Sequence, residues 1–255
     1  LEVSVPEGSW RVFAFTTGPI SECTHADFLN IEYPNLLDGS AVRRFIDVTH
    51  ETYYREAGDW FGTTLTGVFT DEPSLMAPIQ PSFRDGQTYP NLPWVSDLPE
   101  EFQARAGYPL VDALPALVAD VGGAAIQRRC DFWGTIGQLL STRCHRQIGD
   151  WCESHGIAYT GHLLWEERIR HHVCLHGDML ECLRYFGWPG CDALESITRD
   201  DDPSGFALRT LGAKYVTSAA HIYGKPHTMC ETFGITAPKP PAVFEHVLDG
   251  NRSPL

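Results

Sequence analysis

No stretch of this 255-residue sequence approaches the roughly 20 consecutive apolar residues that span a bilayer, so no membrane partner is expected. Cations are scarce: 19 Lys and Arg stand against 33 Asp and Glu, a formal net charge of −14. A nucleic-acid-binding surface needs clustered Lys and Arg to neutralise phosphates, and that class is excluded. No G-x-G-x-x-G or Walker A run follows a strand-like segment, and the G-x-S-x-G elbow of the α/β-hydrolases is missing. The first ten residues, LEVSVPEGSW, carry neither the basic nor the apolar region of a secretory leader. The eight cysteines, Cys23, Cys130, Cys144, Cys152, Cys174, Cys182, Cys191 and Cys230, include no C-x-x-C pair. Zinc ribbons and thioredoxin-type motifs are thereby set aside. Most of these cysteines sit in apolar or helical stretches and read as small core hydrophobes, and reduced thiols favour a cytoplasmic setting.

What is present suits a substantial core. Hydrophobic residues make up 43% of the chain and aromatics 11%, in a length that α/β barrels reach as one domain. The segment WRVFAFTTGP (10–19) predicts a strand running into a Gly-Pro turn. Asp38 then offers an N-cap for a helix over 40–59, with Val42, Phe45, Ile46, Thr49 and Tyr53 at helical spacing. LTGVFTDEP (65–73) predicts a second strand, and the Pro-rich stretch 77–99 an irregular loop. Further helices are expected at 100–107, 131–155 (closed by Gly156), 173–186, 206–223 and 242–248. Strands are expected at 157–164, 191–196 and 225–234. Strands alternating with helices imply a parallel sheet with helical crossovers.

The polar residues fall at the strand ends: Asp71 and Glu72, then His162 and Glu166, then Glu195, then Glu231. Functional groups at the C-terminal ends of successive strands mark the active face of a (β/α)8, TIM-type barrel. Five strands are evident where a closed barrel has eight. The expectation is therefore an α/β fold, with residues 1–255 forming an incomplete barrel: strands three to seven and the start of eight. Glu72 and Glu231 then end strands four and seven, facing each other across the mouth. Glycoside hydrolysis needs such a pair, one carboxyl donating a proton to the leaving oxygen and one ionised as base or nucleophile. Asp71 beside Glu72 disfavours a second charge and helps to keep the donor protonated.

Other residues are candidates for substrate contact. His162 follows Gly161, where a small residue lets a ligand approach the backbone. Glu166 opens the next loop, and Trp60, Trp94, Trp165 and Trp188 suit stacking on sugar faces. Glu195 could ligate a hard cation such as calcium. His171 and His172 lack convincing metal spacing, which weighs against a metal-dependent hydrolase, and His221 reads as structural.

Three stretches carry a family resemblance: GVFTDEPS (67–74), GYPL with LPAL (107–110 and 114–117), and SAAHIYGKPHTMCETFG (218–234). Together they resemble glycoside hydrolase family 106, the α-L-rhamnosidases. That resemblance implies a (β/α)8 catalytic domain, a general acid at Glu72, a general base at Glu231, a nearby calcium ion with Glu195 as an acidic ligand, and an oligosaccharide or glycoside substrate. D-E-P at one strand end with a Glu three strands later also resembles the retaining barrel glycosidases, β-galactosidases among them. A non-catalytic, carbohydrate-binding barrel whose carboxylates hold hydroxyl groups is the remaining alternative.

Overall fold

The structure, a computed structural model, describes residues 5, 7–18, 33–75, 82–84, 87–195 and 203–235. The strands are β1 (Gly67–Thr70), β2 (Ser82–Arg84), β3 (Gln87–Tyr89), β4 (Ala158–His162), β5 (Trp188–Glu195) and β6 (Met229–Ile235). The helices are α1 (Gly39–Val48), α2 (His50–Ala57), α3 (Leu98–Ala106), α4 (Leu114–Val118), α5 (Ala125–Leu140), α6 (Arg146–Ser154), α7 (Ile169–His176), α8 (Met179–Leu183) and α9 (Pro203–Ile222).

Four strands form one parallel sheet in the order β1-β4-β5-β6, each new strand added beside the last. An open doubly wound sheet reverses its strand order; this one does not. It also curls. Strands two places apart in a flat sheet lie about 9.6 Å from each other, yet β4 and β6 approach to Cα separations within 8 Å. The result is a curled, four-stranded parallel half-barrel.

Several sequence expectations need correction. Residues 10–18 form no strand; Trp10, Val12 and Phe15 are 57%, 81% and 42% exposed. Alternation alone does not make a strand without a hydrogen-bonding neighbour. The helix expected over 40–59 begins as foreseen, with the Asp38 carboxylate accepting from Ser40 N (2.8 Å) and Ala41 N (3.4 Å). It breaks at Thr49, whose hydroxyl donates to Phe45 O at 2.6 Å, a side-chain bond that competes with the helical ladder. Only Val42 and Ile46 of its expected stripe are buried, while Phe45 and Tyr53 face solvent. The Pro-rich stretch contains the β2–β3 antiparallel hairpin and the start of α3.

The helix expected over 131–155 starts earlier, as α5, and passes through one π-helical turn at Ser141–His145 before α6. There the Ser141 and Thr142 hydroxyls both donate to Gln138 O, a local cause for the widened turn. Gly156 follows its end with φ 72°, as expected of a terminating glycine. The expected 173–186 helix divides into α7 and α8 at Gly177, and the Asp178 carboxylate caps α8 by accepting from Glu181 N. The helix expected over 242–248 lies outside the described residues.

Phe102, Phe132, Ile136, Leu140, Tyr159 and Phe186 are at most 2% exposed and form the centre of the core. Burying each large apolar side chain contributes about 1.5–3 kcal/mol. This core holds α3, α5 and α6 against β4, and so fixes the sheet that carries the polar groups; Glu231, expected at a strand end, is instead the third residue of β6, which runs on to Ile235.

Candidate active site

The DEP turn is the first piece. After β1 the chain does not run out into solvent: Pro73, Ser74 and Leu75 are buried, and Leu75 N donates to Leu175 O at 2.8 Å. Glu72 makes that reversal with φ 47°, a left-handed conformation that costs a non-glycine residue free energy. Trp165, beyond β4, has φ 60°; among the described residues these two are the non-glycine positions in that region. Both lie just past the C-terminal ends of sheet strands. Backbone strain of this kind costs of order 1–3 kcal/mol and collects at functional sites.

The register brings the rest together. Gly67–Thr70 pairs in step with 158–161, which sets Thr70 beside Gly161. His162 lies opposite Gly190, and Asp192 opposite Glu231. A side chain at Gly190 would meet Gly161 O at 2.4 Å and the Met229 methyl at 2.8 Å. Position 190 therefore carries no side chain, and His162 reaches across β5 there: Nε2 bonds the Glu231 carboxylate at 2.7 Å. The same nitrogen is 3.6 Å from Asp71 Oδ1. His162 is 1% exposed, whereas the Glu231 and Asp71 side chains are 35% and 59% exposed. An anchored imidazole thus bonds the Glu231 carboxylate from one edge of the half-barrel and lies close to that of Asp71 from the other.

Gly161 plays a different part from the one expected. Its φ is 122°, and a Cβ there would fall 2.0 Å from Thr70 O, so the neighbouring strand, not a ligand, makes the close approach.

Glu166 stands behind His162 rather than in an exposed loop. It is 1% exposed, accepts from Leu163 N at 2.8 Å, and its Oε1 is 3.8 Å from His162 Nδ1. Burial pushes its carboxyl up to about 9, against the lowering effect of backbone N–H bonds from Glu166 itself and Leu163. Two buried histidines hold the same loop, His172 Nε2 on Glu166 O (2.8 Å) and His176 Nε2 on Leu164 O (3.0 Å). Burial lowers both, His176 to about 4, so each donates as a neutral ring. Both rings hold the backbone of this loop, a role that the sequence reading did not assign to either.

The indole of Trp165 is half-buried, with the Arg168 guanidinium 4.7 Å from its centroid and His171 edge-on at 4.9 Å. Trp60 and Trp94 are 61% and 37% exposed. Trp94 lines a cleft of about 250 Å³ that shares no residue with the strand ends. His221, expected to be structural, is exposed at the end of α9, whose buried positions there include Val216, Ala219 and Ala220.

Asp71, His162 and Glu231 each offer a ligand atom, all within 4.8 Å of one another. Calcium takes six to eight oxygens. Two carboxylates and one nitrogen already bonded to Glu231 do not fit it by themselves. The side chain of Glu195 lies outside the described residues, and its backbone pairs with Ile235 past an irregularity in β5. Sequence reasoning missed the role of Gly190 and the register of Asp192 with Glu231. Both depend on strand pairing, for which a single chain gives no local signal.

A family described as alpha-L-rhamnosidase matches residues 1–246. A curated relative from Formosa agariphila, named putative beta-glucuronidase, is 23% identical over 245 residues, covering 91% of this chain and 18% of the relative. The solved rhamnosidase from Novosphingobium sp. PP1Y superposes with a TM-score of 0.54 at 20% identity, over 77% of this chain and 17% of that one. At that identity the superposition speaks for the fold alone. The chain spans less than a fifth of either protein. Among the described residues no helix is long and apolar enough to cross a membrane.

Proposed function

The chain belongs to glycoside hydrolase family 106, the alpha-L-rhamnosidases, and from that premise we propose that it supplies the catalytic carboxylates of a (β/α)8 glycosidase. Glu72 protonates the glycosidic oxygen as the bond to the anomeric carbon breaks. Glu231 acts on the other side of the sugar ring, as a base on water or as the nucleophile. His162 donates from Nε2 to Glu231 and fixes the direction of its carboxylate. In this reading Asp71 meets sugar hydroxyls and Trp165 the ring carbons of the substrate. Glu166 supports the His162 loop from behind.

The observation that carries this reading is the junction at β1. One strand end delivers Asp71 towards His162 and Glu231, while the next residue, Glu72, is held in a strained left-handed turn. Ordinary surface loops need neither. Calcium at Glu195 belongs to the proposal as a ligand that would orient sugar hydroxyls, and no step is routed through it. The beta-glucuronidase name of one relative widens the substrate question to β-glucuronides, so both glycosides belong in the assay.

The test uses the intact protein. Glu72→Gln should lower turnover of a glycoside with a poor leaving group by about 10²–10⁴-fold, the usual contribution of a general acid. An activated aryl glycoside, which needs little protonation, should recover much of that loss. Glu231→Gln should slow both substrates. If Glu72→Gln cleaves the unactivated glycoside at the wild-type rate, Glu72 is not the acid.

A further inference from the structure

Cys191 of β5 lies directly in register with Cys230 of β6, and their sulfurs are 3.6 Å apart. The next residue on each strand, Asp192 and Glu231, is paired in the same way. Successive side chains leave opposite faces of a sheet, so the two sulfurs sit on the face behind Glu231. Cys191 is 2% exposed within the main core, near Gly212 of α9. Cys230 is exposed. Among the described residues no other two cysteine sulfurs make such a contact.

We propose that Cys191 and Cys230 are a modification site, a thiol pair that closes to a reversible disulfide across β5 and β6. Residues in register on neighbouring strands have Cα atoms about 4.8 Å apart, inside the 4.4–6.8 Å range that a disulfide spans. The sulfurs must close from 3.6 Å to about 2.05 Å. Their Cβ atoms leave the sheet side by side, however, so the roughly 90° twist about an S–S bond has to be taken up by the strands. A bond formed under such a constraint is of the readily reduced kind.

The oxidant is a low-molecular-weight dialkyl disulfide, RSSR. The Cys230 thiolate, on the exposed side, attacks one sulfur of RSSR, giving a Cys230 mixed disulfide and releasing one RS⁻, which takes up the proton that Cys230 gave up. Cys191 then loses its proton and attacks the Cys230 sulfur, expelling the second RS⁻, which is protonated in turn. Two cysteines are oxidised and RSSR is reduced to two RSH. No reagent needs to reach buried Cys191.

The pair can be tested without reference to catalysis. The intact reduced protein is incubated with glutathione disulfide, its remaining thiols are alkylated, and it is digested without reductant for mass spectrometry. The expected product is one cross-linked peptide pair joining Cys191 to Cys230, which dithiothreitol separates. Exposed Cys130, with no sulfur beside it among the described residues, should keep a stable glutathione adduct and so serves as the control. Cys191→Ser should trap the adduct on Cys230, and Cys230→Ser should leave Cys191 unmodified. Two wild-type results overturn the proposal, and neither needs a variant to fold. One is a lasting glutathione adduct on Cys230; the other is a Cys230 that remains alkylatable when Cys130 is fully modified.

Discussion

Replacing Glu166 by glutamine removes one ionisation from the loop behind His162 and little else. The amide keeps the oxygen that accepts from Leu163 N at 2.8 Å. Two accounts of this carboxyl compete. In one it is a carboxylate paired with His162; in the other it is a neutral acid. The 3.8 Å separation from His162 Nδ1 is too long for a hydrogen bond, and the side chain is 2% exposed. Burial therefore decides, and it raises the carboxyl from 4.5 to about 9. The folded protein then holds a proton that the unfolded chain releases. This contribution is complete below pH 4.5 and is lost as pH rises towards 9, at about 1.4 kcal/mol per pH unit. By pH 7 the loss is of order 3 kcal/mol. Glutamine avoids it, although its amide N–H groups need partners that the acid did not, a cost of about 1 kcal/mol. Urea unfolding of wild type and Glu166→Gln at pH 5, 7 and 8.5 should give similar stabilities at pH 5. The variant should lead by roughly 2 kcal/mol at pH 7, and by more at pH 8.5. Stability curves that run parallel across this range would show that the carboxyl is ionised and paired, and the neutral-acid account would fail.

Gly161→Ala places a methyl 2.0 Å from Thr70 O at φ 122°, so strain and overlap together should cost about 3–5 kcal/mol; a urea midpoint within error of wild type would show that β1 and β4 do not meet as described. If calcium binds through Glu195, added calcium should raise the melting temperature and a chelator should reverse it, because a ligand of the native state stabilises that state; identical melts in chelator and in excess calcium would remove the ion from the proposal.

Much of this molecule was legible where the information is local. Asp38 announced its helix because an N-cap needs only its own carboxylate and the amides two and three residues on. The strands around GVFT, AYTGH, CDALE and MCET were legible as short runs between helical stretches and turn residues, and their parallel order followed from the helices between them. Elements whose existence depends on a distant partner were read poorly. The run at 10–18 has the pattern of a strand but no ladder in the described residues, and the β2–β3 hairpin hid inside a Pro-rich stretch. Helix lengths were overestimated where one residue leaves helical geometry, Thr49 with φ −110° and ψ −70° and Gly177 with φ 69°.

The site followed the same division. Asp71 and Glu72 could be named because charged residues directly after an apolar strand are anomalous on their own terms, and His162 and Glu231 because polar side chains stand among strand residues there, His162 at the end of β4 and Glu231 inside β6. Their joint arrangement could not be. It requires the His162–Gly190 register, an empty position over β5, and a sheet curled enough to bring Asp71 and Glu231 to one imidazole although two strands separate them in the sheet. Glu166 shows the limit from the other side. In sequence it is one of two adjacent glutamates at a loop, and nothing local distinguishes it from exposed surface. Three backbone and ring contacts, from Leu163 N to its carboxyl, from His172 to its carbonyl and from His176 to Leu164 O, turn that loop inward. A buried acid behind His162 is what one expects if the loop's task is to hold the imidazole still while the carboxylates in front of it stay open to solvent and to a sugar.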